Sequence, residues 1–295
     1  MPWLALLLSL LVQDPPTFTS AVSLVRVDAE VRTATAPVND LRVENFLITD
    51  NGRPRPIVYF AHEEQPLDVI LLFDTSASMR PVVARVAEAA HAVLADLRPG
   101  DRVEVMAFDQ TIDVVLAFTE DFAAAENSIG ERVPARPFRC CTPIQEALAE
   151  AARQFAGQPA GVRRRAVAIV TDDEGTRDYP GTLRRLWDTD AIVLGVIVRE
   201  KRRHNIYLGS PSGYRYMGMR DIARGTGGDC IDTRDAAEGV RETLHRLRLR
   251  YSLYYQMPHA LLGEERRVRV ELTPEAAAQH PGAVVRARTG YFAPL

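Results

Sequence analysis

The sequence predicts an α/β fold in which a doubly wound, mostly parallel sheet carries helices on both faces. A small β-sandwich-like domain, built from both chain ends, is expected beside it. Three observations lead there. From Leu67 to about Leu249, short apolar runs alternate with stretches of helical period, the signature of a mostly parallel sheet. The runs at 69–73 and 191–198 are apolar almost without interruption, as strands covered on both faces are. Outside that span, apolar and polar residues alternate with a period of two. Neither outer stretch is long enough for a stable sheet alone, so the two are expected to pair.

The expected organisation is therefore a β segment at 17–64, an α/β domain at 65–249 and a second β segment at 250–295. A chain of 295 residues, 46% apolar and 25% charged, can bury a sizeable core. Its net charge of −3 gives no case for a nucleic-acid or anionic-membrane partner. Lys201 is the only lysine among the basic residues.

Residues 4–12 are apolar apart from Ser9, and Gln13-Asp14-Pro15-Pro16 ends the run. Too short to span a bilayer, it has the length of a signal-peptide core, which makes residues 1–14 the expected leader. The n-region has no Lys or Arg, and no A-x-A cleavage site follows. A buried N-terminal strand is the alternative, but leucines without β-branching disfavour it. Export to the periplasm or the outside is expected, with no integral membrane span in the mature chain.

In chain order, Val22, Leu24, Val25 and Val27 precede a turn at Ala36-Pro37-Val38-Asn39-Asp40, and Asn51-Gly52 is a hairpin signal before Ile57-Val58-Tyr59-Phe60. Residues 62–66 read as a linker. Core strands are expected at 69–73, 102–108, 113–118, 166–171 and 191–198, with a short one at Cys230. Helices are expected at 80–97, 121–132, 143–156, 180–188, 216–224 and 235–250. Asp109-Gln110 is a tight turn, implying one antiparallel edge hairpin. Beyond Leu249, Tyr251, Leu253 and Tyr255, then Val268, Val270 and Leu272, then Val284, Val285 and Ala287 mark strands.

The chemistry gathers at three loops. The 69–73 run stops at Asp74-Thr75-Ser76-Ala77-Ser78, before the first helix. This is the carboxyl end of a central strand, where open α/β sheets bind ligands. Carboxylate and hydroxyl oxygens there suit a hard cation such as Mg²⁺. Equally, Ser78 could be an N-cap with Pro81 in the first turn. The second loop, Arg139-Cys140-Cys141-Thr142-Pro143-Ile144-Gln145, opens a helix, and Thr142 also fits a capping box with proline at N1. The third, Thr171-Asp172-Asp173-Glu174-Gly175, ends a strand.

Together, Asp74-x-Ser76-x-Ser78, Thr142 and Asp172 resemble the metal-ion-dependent adhesion site (MIDAS) of von Willebrand factor A (VWA) domains, whose sheet is Rossmann-like. That resemblance implies that Asp74, Ser76, Ser78, Thr142 and Asp172 hold Mg²⁺ (or Mn²⁺), directly or through water. It also implies a protein ligand that offers an acidic side chain to the ion. The flanks, among them Leu97-Arg98-Pro99-Gly100-Asp101-Arg102-Val103, Asn45-Phe46-x-Ile48-x-Asp50-Asn51-Gly52 and Tyr251-Ser252-Leu253-Tyr254-Tyr255, are similar to those of the bacterial VWFA-related Acidobacterial domain proteins. This likeness runs from about residue 17 to the end and implies an exported adhesion or binding module. Cys140-Cys141 and Asp173 stand where that pattern carries glycine, the residue that tolerates positive φ.

Three cysteines, two of them adjacent, make no disulfide framework and no zinc spacing. A vicinal Cys140–Cys141 disulfide is conceivable after export, though inert buried thiols are the expectation. The basic and aromatic segment 199–219 is a second candidate binding surface, with a solvated loop as the alternative. Enzyme readings find little: no G-x-S-x-G, Walker A, H-E-x-x-H or G-x-G-x-x-G occurs, and the histidines are scattered. The alternatives to a non-enzymatic binding module are a structural or assembly factor with a vestigial metal site, and a metal-dependent phosphatase-like hydrolase with Asp74 as nucleophile.

Overall fold

The computed structural model describes residues 23–62, 65–158, 163–173, 181–198 and 218–294. The described residues begin with β1 (Leu24–Arg32), a 3-10 turn, β2 (Phe46–Asp50), β3 (Arg53–Arg55) and β4 (Ile57–Ala61). Next come β5 (Leu67–Asp74), α1 (Arg80–Glu88), α2 (Ala90–Leu94), β6 (Arg102–Phe108), β7 (Ile112–Thr119) and α3 (Phe122–Asn127). They are followed by α4 (Ile144–Ala156), β8 (Arg164–Thr171), α5 (Thr182–Asp188), β9 (Ala191–Val198), α6 (Met219–Gly225), β10 (Cys230–Thr233) and α7 (Ala236–Arg248). The last elements are β11 (Tyr251–Gln256), β12 (Glu265–Leu272), α8 (Pro274–Gln279), β13 (Val284–Arg286) and β14 (Gly290–Phe292).

Six strands form the central sheet in the order β10-β9-β8-β5-β6-β7. All neighbours are parallel except β6 and β7, the predicted antiparallel edge hairpin. Side chains alternate across it. Val69, Leu71 and Phe73 pack with α1, α2 and α7, whereas Ile70 and Leu72 pack with α4, α5 and α6. With both faces covered, β5 is buried at every position. From β5 the chain crosses to β6 on one side, and β8 returns on the other. The crevice outside the ends of β5 and β8 is thus the topological switch point.

The chain ends pair as expected. One four-stranded sheet runs β13-β1-β11-β4 and another runs β14-β12-β2-β3, each mixing strands from both ends. Val27, Ala29, Phe46, Ile48, Tyr251, Leu253 and Val268 are among the side chains that fill the space between them. Asp50, fully buried, ties the two sheets together. Its Oδ2 accepts from the Tyr255 and Tyr291 hydroxyls at 2.8 and 2.9 Å, and its Oδ1 from Arg266 Nε at 2.7 Å.

Three local features depart from expectation. The helix expected at 80–97 breaks at Ala89 (φ −101°, ψ 12°) into α1 and α2. Asn51 and Gly52, both at positive φ, do turn a hairpin. Its second strand is Arg53–Arg55, while β4 passes to the other sheet. Helix α8 went unpredicted, although Thr273 caps it by accepting from Ala276 N, with Pro274 in its first turn.

Candidate metal centre

The apolar run of β5 ends on Asp74, whose carboxylate has no exposed surface. It is nonetheless satisfied. Oδ1 accepts from Ser76 N at 2.8 Å and Oδ2 from the Thr171 hydroxyl at 2.7 Å. Burial pushes its pKa up to about 6, the Asp172 charge adds to that, and the bonds from Thr171 and Ser76 oppose it. Each carboxylate oxygen keeps a lone pair for a further contact.

Ser76 is buried and Ser78 exposed, and their hydroxyls lie 3.3 Å apart. Ser78 Oγ then donates to Asp172 Oδ2 at 2.7 Å, joining the end of β5 to the end of β8. Helix capping does not absorb these hydroxyls. The N-cap of α1 is Met79, without a side-chain bond, and Pro81 sits in the first turn.

The second loop is tied to the first through backbone. Arg139 forms a parallel bridge with Ser76, and its carbonyl accepts from Ala77 N at 3.0 Å. Thr142 follows on this loop, half-buried. The capping box considered for it is not formed. Pro143 is the N-cap of α4, with no side-chain cap bond. The hydrogen bonds described link Asp74, Ser76, Ser78 and Asp172 directly, and Thr142 only through the backbone of its loop. Cys141 sits at φ +81° and Asp173 at φ +61°. Both therefore hold the left-handed backbone that a glycine would adopt without strain.

An ion fits this donor set chemically. Adjacent oxygens around octahedral Mg²⁺, bound at about 2.0–2.1 Å, lie roughly 2.9 Å apart. The Ser76–Ser78 and Ser78–Asp172 spacings of 3.3 and 2.7 Å bracket that value. Among the described residues, no three His, Cys, Asp or Glu side chains gather into a metal-ligating group. Any ion here would depend on the hydroxyls.

Residues 69–175 match the von Willebrand factor type A domain family. They contain all three loops of the site. The sheet domain has the von Willebrand factor type A (VWA) fold. Structural likeness agrees in fold: proximal thread matrix protein 1 from the mussel byssus superposes with a TM-score of 0.50 at 15% identity, over 68% of this chain and 51% of that one. A von Willebrand factor type A protein from Catenulispora acidiphila covers 94% of this chain and 75% of its own, at 15% identity and a TM-score of 0.48. An aerotolerance-related membrane protein from Bacteroides fragilis reaches 0.49 at 17% identity, over 61% of this chain and 98% of that one. No curated protein matches the chain. VWA domains are generally non-enzymatic modules for protein–protein interaction.

Around the candidate site, sequence reasoning missed two contributors. Thr171 orients Asp74 and also accepts from Asp173 N at 3.1 Å; its place beside Asp172 at a strand end was the available signal. Arg139 contributes only backbone, which no sequence pattern displays. Asp173 is turned by its positive φ, and its charge acts on Arg220 and Cys230. The expectation of buried thiols fails for Cys140 and Cys141, both exposed, and holds for Cys230. They precede the start of α4 on a loop, where no core covers them. The expected leader at 1–14 and most of the 199–219 surface lie outside the described residues. Among those described, no helix is long and apolar enough to cross a membrane.

Proposed function

We propose that this chain is an exported, non-enzymatic binding module whose VWA domain engages protein ligands through Mg²⁺ or Mn²⁺. Asp74, Ser76, Ser78, Thr142 and Asp172 would hold the ion. Few carboxylates and several neutral hydroxyls would leave it with residual positive charge, which attracts an Asp or Glu side chain of the ligand. The observation that carries this reading is the 2.7 Å bond from Ser78 Oγ to Asp172 Oδ2. It brings oxygens from separate loops together at the switch point, beside a buried and already oriented Asp74. Export rests on the apolar stretch at residues 4–12.

The hydrolase reading has less support, because a nucleophilic Asp74 would need an accessible oxygen and the carboxylate is fully buried. Calorimetric titration of the full chain with Mg²⁺ and Mn²⁺ tests the proposal. Wild-type protein should bind one ion, and a Ser76→Ala/Ser78→Ala variant should lose it. If wild type binds neither metal, the adhesion mechanism is refuted and the assembly-factor reading takes its place.

A further inference from the structure

Cys140 and Cys141 are adjacent, exposed and on the loop that carries Thr142. Their sulfurs stand 2.8 Å apart. Cys141 is held at φ +81°, a backbone region that residues with a side chain disfavour. Two features of this loop therefore coincide. It keeps a backbone shape that suits glycine, and it brings two thiols together in that same shape. Upstream, the Arg139 carbonyl accepts from Ala77 N and Arg139 bridges Ser76. Downstream, Thr142 leads through Pro143 into α4. A change in the Cys140–Cys141 backbone is thereby passed to both sides of the candidate metal centre.

We propose that Cys140 and Cys141 are a redox clamp: closing their disulfide locks the loop in its left-handed turn and tightens ion binding. The second half of this rests on the metal-centre reading above. Because the sulfurs already meet, closure demands little backbone movement, and the resulting small ring contains the peptide unit that must stay in place. The ring supplies the conformational restraint that a strained cysteine lacks. Reduction releases the loop toward conformations with negative φ, which displace Thr142.

The chemistry is thiol–disulfide exchange with a small-molecule disulfide such as oxidised glutathione. One cysteine thiolate attacks the oxidant, forming a mixed disulfide and displacing a first thiolate. The neighbouring thiolate attacks the protein sulfur of that mixed disulfide, closes the Sγ–Sγ bond and expels a second. The cysteine pair gives up two electrons, and its two protons end on the two released thiols.

The full chain would be incubated with oxidised glutathione or with a phosphine reductant and compared in three ways. Peptide mass should show loss of two hydrogens across Cys140–Cys141 only after oxidation, with protection from phenylarsine oxide, a reagent for reduced thiol pairs. Hydrogen exchange at 139–142 should slow on oxidation. Mn²⁺ should bind the oxidised form about tenfold more tightly. A Cys140→Ser/Cys141→Ser variant should bind as weakly as the reduced protein in either condition. Cys140→Gly/Cys141→Gly should bind tightly in both. Failure of the ring to form overturns the clamp, as does a closed ring with unchanged exchange. Equal Mn²⁺ affinity of the two wild-type forms overturns it too, provided the metal binds. If no form binds Mn²⁺ while the ring closes and exchange slows, the clamp stands and the metal-centre reading falls.

Discussion

Arg164 and Asp28 meet across the boundary between the VWA domain and the sandwich, with Arg164 Nη2 3.4 Å from Asp28 Oδ1. The guanidinium is wholly buried. It also donates to the Arg250 carbonyl at 3.1 Å and the Ser252 hydroxyl at 3.2 Å, and to the Leu247 carbonyl. Burial by itself would raise the Asp28 pKa, but Arg164 and Arg26 overcome it and bring the carboxyl down to about 2. Removing one member of such a set leaves an uncompensated buried charge. Arg164→Ala should therefore cost about 3–5 kcal/mol in urea unfolding, and adding Asp28→Asn should recover part of the loss.

At the candidate metal centre, the most informative single change is Thr171→Val. It keeps the shape of the side chain and deletes the hydroxyl that donates to Asp74 Oδ2. Bonds to charged groups contribute about 1.5–3 kcal/mol, so Mn²⁺ affinity should fall roughly tenfold or more. Thr171→Ser should stay near wild type in the same titration. Equal affinity in all three proteins would remove Thr171 from the site.

Glu104 makes stability depend on pH. It is buried on β6, where the pairing with β7 shifts register, and it accepts from the Phe118 backbone. Burial, only partly opposed by that bond, pushes its carboxyl up to about 7. The folded state thus holds this proton where the unfolded chain, near the ordinary value of 4.5, has lost it. Its contribution is complete below pH about 4.5 and is lost as pH rises through about 7, a change on the order of 2–3 kcal/mol. Asp74, also raised, adds to the slope in part of that window. Stability measured across the range should fall less steeply in Glu104→Gln, and the difference between the two proteins isolates Glu104.

Gly227 and Gly228 close the turn between α6 and β10. At Gly227, φ is +84° and a Cβ would press on the backbone of Ala287 and Arg288. At Gly228 it would meet the Val193 carbonyl on β9. Since backbone atoms cannot yield as a flexible side chain can, Gly228→Ala should lower thermal stability far more than a surface glycine change such as Gly282→Ala. Gly282 also has positive φ, yet nothing lies near its added Cβ. Melting curves of the two variants would separate close approach from backbone strain.

Much of this architecture could be read from residue patterns because burial imposes them. A strand covered on both faces must be apolar throughout, as β5 is, and the abrupt change to Asp74-x-Ser76-x-Ser78 locates the strand end and the rim together. Asp172 was legible for the same reason at the end of β8. The pairing of Ser78 with Asp172 spans 94 residues and depends on strand order, which periodicity does not encode. Arg139 acts through its carbonyl, so its side chain carries no trace of the role. The break at Ala89 follows no proline or glycine, so no local signal in the sequence announces it. By contrast, Thr273-Pro274 is a local start signal for α8, a short helix set between two alternating stretches.

The sandwich has a consequence for how the molecule is made. Ser252 Oγ and the Asp28 carboxylate, bonded at 2.5 Å, are 224 residues apart. β1 has no sheet neighbour until β11 and β13 have been synthesised. At about 5–20 residues per second, the first strand therefore waits on the order of ten seconds or more for its partners. The VWA domain between them has its six-stranded sheet contained within β5 to β10 and can assemble meanwhile. Chain synthesis thus sets an order of events: the six-stranded sheet domain first, and the two ends last, closing around Arg164 as a latch.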